Sequence, residues 1–116
     1  MRASMDLRVF RKLGVPYDTA EDGQRAVELV GEREIGYYSI VLMDNQMPNM
    51  RGHEATRVLR AAGYKGLIIG MTGDPRGSSD RAEFENCGID ECIEKDTPGT
   101  QRLAAIIKEL CAESVA

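Results

Sequence analysis

The clearest hydrophobic signal along the chain is the run Ile40-Val41-Leu42-Met43, apolar at every position and ending on Asp44. A continuous apolar run of this length, bounded by a turn, predicts a strand buried on both faces. Leu67–Met71 predicts a second such strand, and Cys92-Ile93 a brief third one. Between them the spacing changes to that of helices. Met5, Val9 and Leu13 stand at i, i+4 and i+8 and predict a helix over residues 3–13, stopped by Gly14. Pro16–Ala20 predicts a short extended segment. Asp22-Gly23 then opens a helix that turns Ala26, Val27, Leu29 and Val30 inward. Residues 52–62 predict an amphipathic helix with Ala55, Val58, Leu59 and Ala62 on one face, Arg57 and Arg60 on the other, and Gly63 as its stop. A further helix is expected to start at Asp80, capped by its carboxylate with Glu83 reaching back, and to end near Gly88. Thr97 as cap and Pro98 in the first turn begin the last helix, whose buried stripe is Leu103, Ile106, Ile107 and Leu110.

Short strands alternating with helices define an α/β fold with a parallel sheet. In such sheets ligands sit beyond the carboxyl ends of the strands. Asp44, Thr72 and Lys95 each stand at such an end, which makes them the candidate functional residues. With 116 residues, 42% of them hydrophobic, the chain suits one domain spanning 1–116 and one core. A formal charge of −4 argues against nucleic acid as a partner. No apolar run approaches the length of a membrane span, and the first residues lack the apolar core of a signal peptide, so a cytoplasmic protein without membrane contact is expected. Cys87, Cys92 and Cys111 have no zinc-type spacing and are expected to be reduced packing residues. His53 is expected at the surface of its helix. The acids Glu21, Asp22, Glu32 and Glu34 are accounted for by solvation and by the helix dipole.

The string Asp44-x-x-Met47-Pro48-x-Met50-x-Gly52-x-Glu54, followed by Thr72-Gly73 and then Lys95 at the next two strand ends, resembles the receiver domain of two-component response regulators. The segments Asn45–Met50 and Tyr64–Gly70 are more similar to receivers attached to hybrid histidine kinases. The resemblance runs from about Ala3 to Leu110 and implies a flavodoxin-like fold with helices on both faces of the sheet. It implies a signalling module rather than a classical enzyme, an autocatalytic phosphoacceptor at most. Asp44 would accept a phosphoryl group from a histidine kinase or a histidine phosphotransfer protein. Lys95 would pair with that group, and Thr72 would turn inward to donate its hydroxyl to it. Gly73 would leave room beside them. Mg²⁺ is implied as the cofactor, held by Asp44 and by the backbone carbonyl of Gln46.

The chain departs from the family pattern in four ways. A full receiver opens with an apolar strand and two adjacent acids that bind Mg²⁺, whereas this chain opens at the helix that follows them. Asp6 lies on that helix and does not replace them, so Mg²⁺ should bind weakly. The absent strand would lie mid-sheet, between the segments at Tyr17 and Val41, and its loss would leave an edge open to self-association. Lys95 is followed by Asp96 where the family has proline, and Cys92 stands where the family often has a tyrosine or phenylalanine switch. The reading is therefore a receiver truncated at its first strand. Its alternative is a phosphorylation-deficient remnant acting as an interaction or dimerisation module. A third reading is a phosphoaspartate-type hydrolase, for which Gln46 stands where a general acid would be needed.

Overall fold

The computed structural model describes residues 13–14, 17–33, 37–45, 50–73 and 77–115. The helix expected over 3–13 lies outside these residues apart from Leu13, and so do Gln46 and the Pro48 turn. The elements in chain order are α1 (Gly23–Glu32), β1 (Ile40–Asp44), α2 (Gly52–Ala61), β2 (Leu67–Thr72), α3 (Ser79–Glu85), β3 (Glu91–Glu94) and α4 (Thr97–Val115). The three strands form one parallel sheet in the order β1-β2-β3.

Alternation along the strands divides the core into two layers. Leu42, Ile69, Met71 and Ile93 point to one face, where Leu103, Ile106 and Ile107 of α4 cover them. Val41, Met43 and Ile68 point to the other, against Ala55 and Leu59 of α2, Phe84 of α3, and Val27 and Val30 of α1. Phe84 is completely buried, and room for it is made by the absence of a side chain at Gly70, where a Cβ would stand 2.6 Å from the phenyl ring. Burying a side chain of this size is worth roughly 1.5–3 kcal/mol.

Several local expectations change. Residues 17–20 join no ladder, so among the described residues the second edge of β1 has no strand beside it. That edge does not face solvent: Val41, Leu42 and Met43 are 0–5% exposed. In α2, Val58 is 41% exposed and Ala62 is also exposed, while Thr56 is buried. The sheet-facing stripe is Ala55-Thr56-Leu59, and Val58 falls on its flank. Helix α3 is capped by Ser78, whose hydroxyl accepts the Arg81 N–H at 3.2 Å, not by Asp80. Asp80 instead pairs with Arg51 across to α2, and Glu83 turns to α2 rather than back along its own helix. This helix ends at Glu85, before Gly88, which adopts a φ of 117°. Helix α4 is capped by Asp96, one residue before the expected Thr97: Asp96 Oδ1 accepts the Gly99 N–H at 2.7 Å. A free carboxylate one position upstream reaches the third helical N–H, the usual geometry of a cap.

Arg60 also leaves its expected place on the polar face of α2. Its guanidinium donates to the carbonyls of Tyr64, Gly66 and Gly88 and to Asp90 Oδ2, each at 2.9 Å. Asp90 Oδ2 accepts the Ile68 N–H as well, so one arginine ties the end of α2 to the starts of β2 and β3. This planar fork holds the end of the sheet opposite to Asp44.

Candidate functional site

Strand register aligns the three candidate residues. Asp44 pairs with Met71 in the β1–β2 ladder, Thr72 pairs with Glu94 in the β2–β3 ladder, and Lys95 is the next residue. The Lys95 main-chain N–H extends the ladder by donating to the Thr72 carbonyl at 3.0 Å. From that anchor the ammonium crosses in front of β2 and donates to Asp44 Oδ2 at 2.7 Å. The carboxylate is 11% exposed and the lysine side chain 28%, so the pair is partly shielded from water and stronger than a surface ion pair. Thr72 is fully buried beside them. At Gly73 a Cβ would meet nothing within 4 Å, which leaves open space next to the threonine.

Asp44 is held by the residue after it. Asn45 is completely buried, and its carbonyl accepts the Gly52 N–H at 3.3 Å while its side-chain Oδ1 accepts the His53 N–H at 3.3 Å. These are donors of the first turn of α2, which Arg51, the residue in the capping position, does not serve with its side chain. The strand thus caps the helix from a distance. Contact this close requires Gly52: a Cβ there would lie 2.5 Å from the Asp44 carbonyl oxygen and 2.9 Å from Asn45 Cα.

His53 is not a surface residue. Its side chain is 12% exposed, with Nδ1 3.4 Å from Asn45 Oδ1 and Nε2 3.4 Å from Glu83 Oε1 on α3. Arg57 reaches the same Glu83 oxygen at 3.4 Å. At the sheet edge, Arg81 of α3 is nearly buried and pairs with Glu94 at 3.3 Å. Cys92 packs in the core layer under α1–α3, and burial raises its thiol pKa above the ordinary range, as it does for Cys87. Both are free thiols in packed positions; the Cys111 side chain lies outside the described structure.

The structure therefore joins Asp44 and Lys95 directly and Thr72 through the main chain, while Gln46 is outside the described residues. It adds Asn45 and His53, which motif reading did not single out as site residues. A buried asparagine directly after an apolar strand was the available signal, but capping across seven residues of intervening chain has no local pattern. Among the described residues no group of three or more Asp, Glu, His or Cys side chains could hold a metal ion. Of the acids at the three strand ends, Asp44 closes β1 and Glu94 closes β3, where it pairs with Arg81, so these residues do not by themselves make a magnesium site.

An α/β sheet that presents an acid, a hydroxyl and a lysine at three successive strand ends is arranged as the phosphoacceptor site of a signalling receiver would be. The pattern of the response regulator receiver domain matches residues 2–108, and the chain belongs to this family. It is 30% identical over 101 residues to "Two-component response regulator 24" of Arabidopsis thaliana, covering 87% of this chain and 70% of that protein. It is 40% identical over 78 residues to "Two-component response regulator ORR41" of Oryza sativa subsp. japonica, covering 67% of this chain and 60% of that one. The chain thus spans 60–70% of the length of these relatives. The receiver domain of sensor histidine kinase PA1611 from Pseudomonas aeruginosa superposes with a TM-score of 0.70 at 27% identity, covering 85% of this chain and 84% of that one. That receiver holds a magnesium ion in its active-site cleft. The flavodoxin-like receiver fold expected from the sequence is the fold the chain has. No helix among the described residues is long and apolar enough to cross a membrane.

Proposed function

We propose that this chain is one receiver unit of a His-Asp phosphorelay, with Asp44 as the phosphoacceptor and the face after Thr72 as the surface that reports its state. The observation that carries this reading is the 2.7 Å contact of Lys95 Nζ with Asp44 Oδ2, made beside a buried threonine at the next strand end. An Asp44 carboxylate oxygen attacks the phosphorus of a phosphohistidine; the P–N bond breaks as the P–O bond forms, and the imidazole leaves. The acyl phosphate carries more negative charge than the carboxylate it replaces. Lys95 is anchored through its main chain, so its ammonium can move from the carboxylate to a phosphoryl oxygen without displacing the strand. Thr72 supplies a hydroxyl from the neighbouring strand end, and its rotation would pass the change to α3. The donors are a histidine kinase or a histidine phosphotransfer protein. Magnesium would bind weakly, since no group of three or more Asp, Glu, His or Cys side chains among the described residues could hold it.

The same shortage of acids favours a second reading, a phosphorylation-deficient receiver acting through its surfaces alone. Self-association through the β1 edge is the less favoured form of it, because β1 is buried. Intact mass after incubation with acetyl phosphate and Mg²⁺ separates the two. An increase of about 80 Da that Asp44→Asn abolishes supports phosphoacceptance. A folded chain that gains no mass supports the second reading.

A further inference from the structure

Asn45, His53 and Glu83 form a line of side chains that leads from the acceptor end of β1 to α3 without passing through Thr72. His53 is at its centre. Its own N–H and its Nδ1 both face the Asn45 carboxamide oxygen, at 3.3 and 3.4 Å, and its Nε2 faces Glu83 at 3.4 Å. The imidazole is largely buried, so these contacts are sheltered from water at the Asn45 end and open to it only at Glu83, which is 47% exposed. The amide orientation of Asn45 is fixed by the main-chain donor it serves: Oδ1 must face His53, which leaves Nδ2 buried without a hydrogen-bond partner. A buried asparagine kept in this state is strongly position-dependent, because any movement of the end of β1 alters both its cap on α2 and its contact with the ring.

We propose that His53 is a positioning residue that couples the end of β1 to α3, so that a change at Asp44 reaches α3 through Asn45, His53 and Glu83 in parallel with Thr72. The proposal rests on Asp44 being the phosphoacceptor and extends that reading to the route by which the output face senses it. Thr72 acts from β2 and its following loop. The histidine route acts from β1 and the first turn of α2, and it meets α3 on its α2-facing side, where Arg57 binds the same Glu83 oxygen.

The test is an amide NMR comparison of the ¹⁵N-labelled chain with and without beryllofluoride and Mg²⁺, beryllofluoride being the acyl-phosphate mimic. In the unsubstituted protein the amides of Asp44, Asn45 and Thr72 report loading, and those of Arg81–Glu85 report arrival at α3. With His53→Phe, which keeps an aromatic ring of similar size, or Glu83→Gln, which alters only an exposed end of the line, loading should persist while the α3 displacement is reduced to the part that Thr72 carries. Unchanged α3 displacement in both variants overturns the proposal. If the unsubstituted protein shows no loading, the phosphoacceptor reading fails and the coupling is judged in the free protein. There Glu83→Gln should shift the Asn45 side-chain and Gly52 amide resonances, neither of which touches Glu83. Shifts confined to α3 and to the Arg57 turn overturn the coupling; shifts at Asn45 sustain it without the phosphoacceptor.

Discussion

Lys95 and Thr72 are joined through the main chain, the lysine N–H on the threonine carbonyl at 3.0 Å, so the ammonium that reaches Asp44 starts from the end of β3 at a point hydrogen-bonded to the strand that carries the threonine. Removing the ammonium while keeping the stem isolates its part. Lys95→Met should leave the fold intact and lower phosphoryl uptake from acetyl phosphate, read by intact mass. A partly buried pair lies between exposed pairs and fully buried ones in its contribution, so a stability loss of about 1–2 kcal/mol is expected in urea unfolding. Uptake equal to the unsubstituted protein would remove Lys95 from the reaction.

Gly52 is the point where helix and strand are closest. Gly52→Ala adds one methyl group at 2.5 Å from the Asp44 carbonyl oxygen, against backbone that cannot step aside as a side chain can. Overpacking of this kind costs typically 1–3 kcal/mol. The expected result is a lower urea midpoint, with amide shifts centred on Asp44 and Asn45. At exposed Gly31, where a Cβ would meet nothing within 4 Å, the same change within α1 should be neutral or stabilising.

Asp96 stands where proline would follow the lysine in the family, and it takes up a different task, capping α4. Asp96→Ala should cost about 1 kcal/mol through loss of the bond to the Gly99 N–H. The loss should be largely recovered by Asp96→Asn or Asp96→Ser, which keep an acceptor. A fully retained midpoint in Asp96→Ala would show that the cap contributes nothing.

Tyr64 gives the chain a pH-dependent term. Its phenol donates to the Tyr38 carbonyl at 2.8 Å, and burial pushes its pKa up from 10.0 to about 12. The folded state therefore holds this proton more tightly than the unfolded chain does. The sign is fixed: the contribution is fully present below pH 10 and is lost as the pH rises towards about 12. Cys87 and Cys92, with thiols also raised by burial, add losses in the same direction at lower pH. Urea midpoints measured from pH 8 upward should fall, and the part of the fall between pH 10 and 12 should shrink in Tyr64→Phe. An identical slope in that variant would assign the alkaline loss to other groups.

Much of this was legible from spacing alone. The apolar runs ending at Asp44, before Lys95 and at Thr72 placed all three candidate residues at strand ends, because a strand buried on both faces leaves little choice of residue. The stripe of Leu103, Ile106 and Ile107 likewise placed α4. What escaped was tertiary. Arg60 reads as a solvated charge on an amphipathic helix, and only the fold brings three carbonyls and Asp90 within its reach. His53 reads the same way, since a helix position says nothing of the neighbouring helix that covers it. Two caps, Ser78 and Asp96, were displaced by one or two residues, because adjacent Ser, Thr and Asp side chains compete for the same donors and propensity does not decide among them. Val58 was misassigned because a three-residue step rotates a side chain to the flank of the stripe.

The remote cap of Asn45 on α2 bears on how this domain can be recombined with others. The acidic end of β1 and the head of α2 share their hydrogen bonds and their closest backbone approach, so they constitute a single mechanical piece whose two halves are separated in sequence but not in space. A chimera with its junction between Asn45 and Gly52 would strand both first-turn donors unless the incoming segment brought its own asparagine and glycine together. Junctions placed before Ile40 or after Gly63 keep that piece whole, and with it the placement of Asp44.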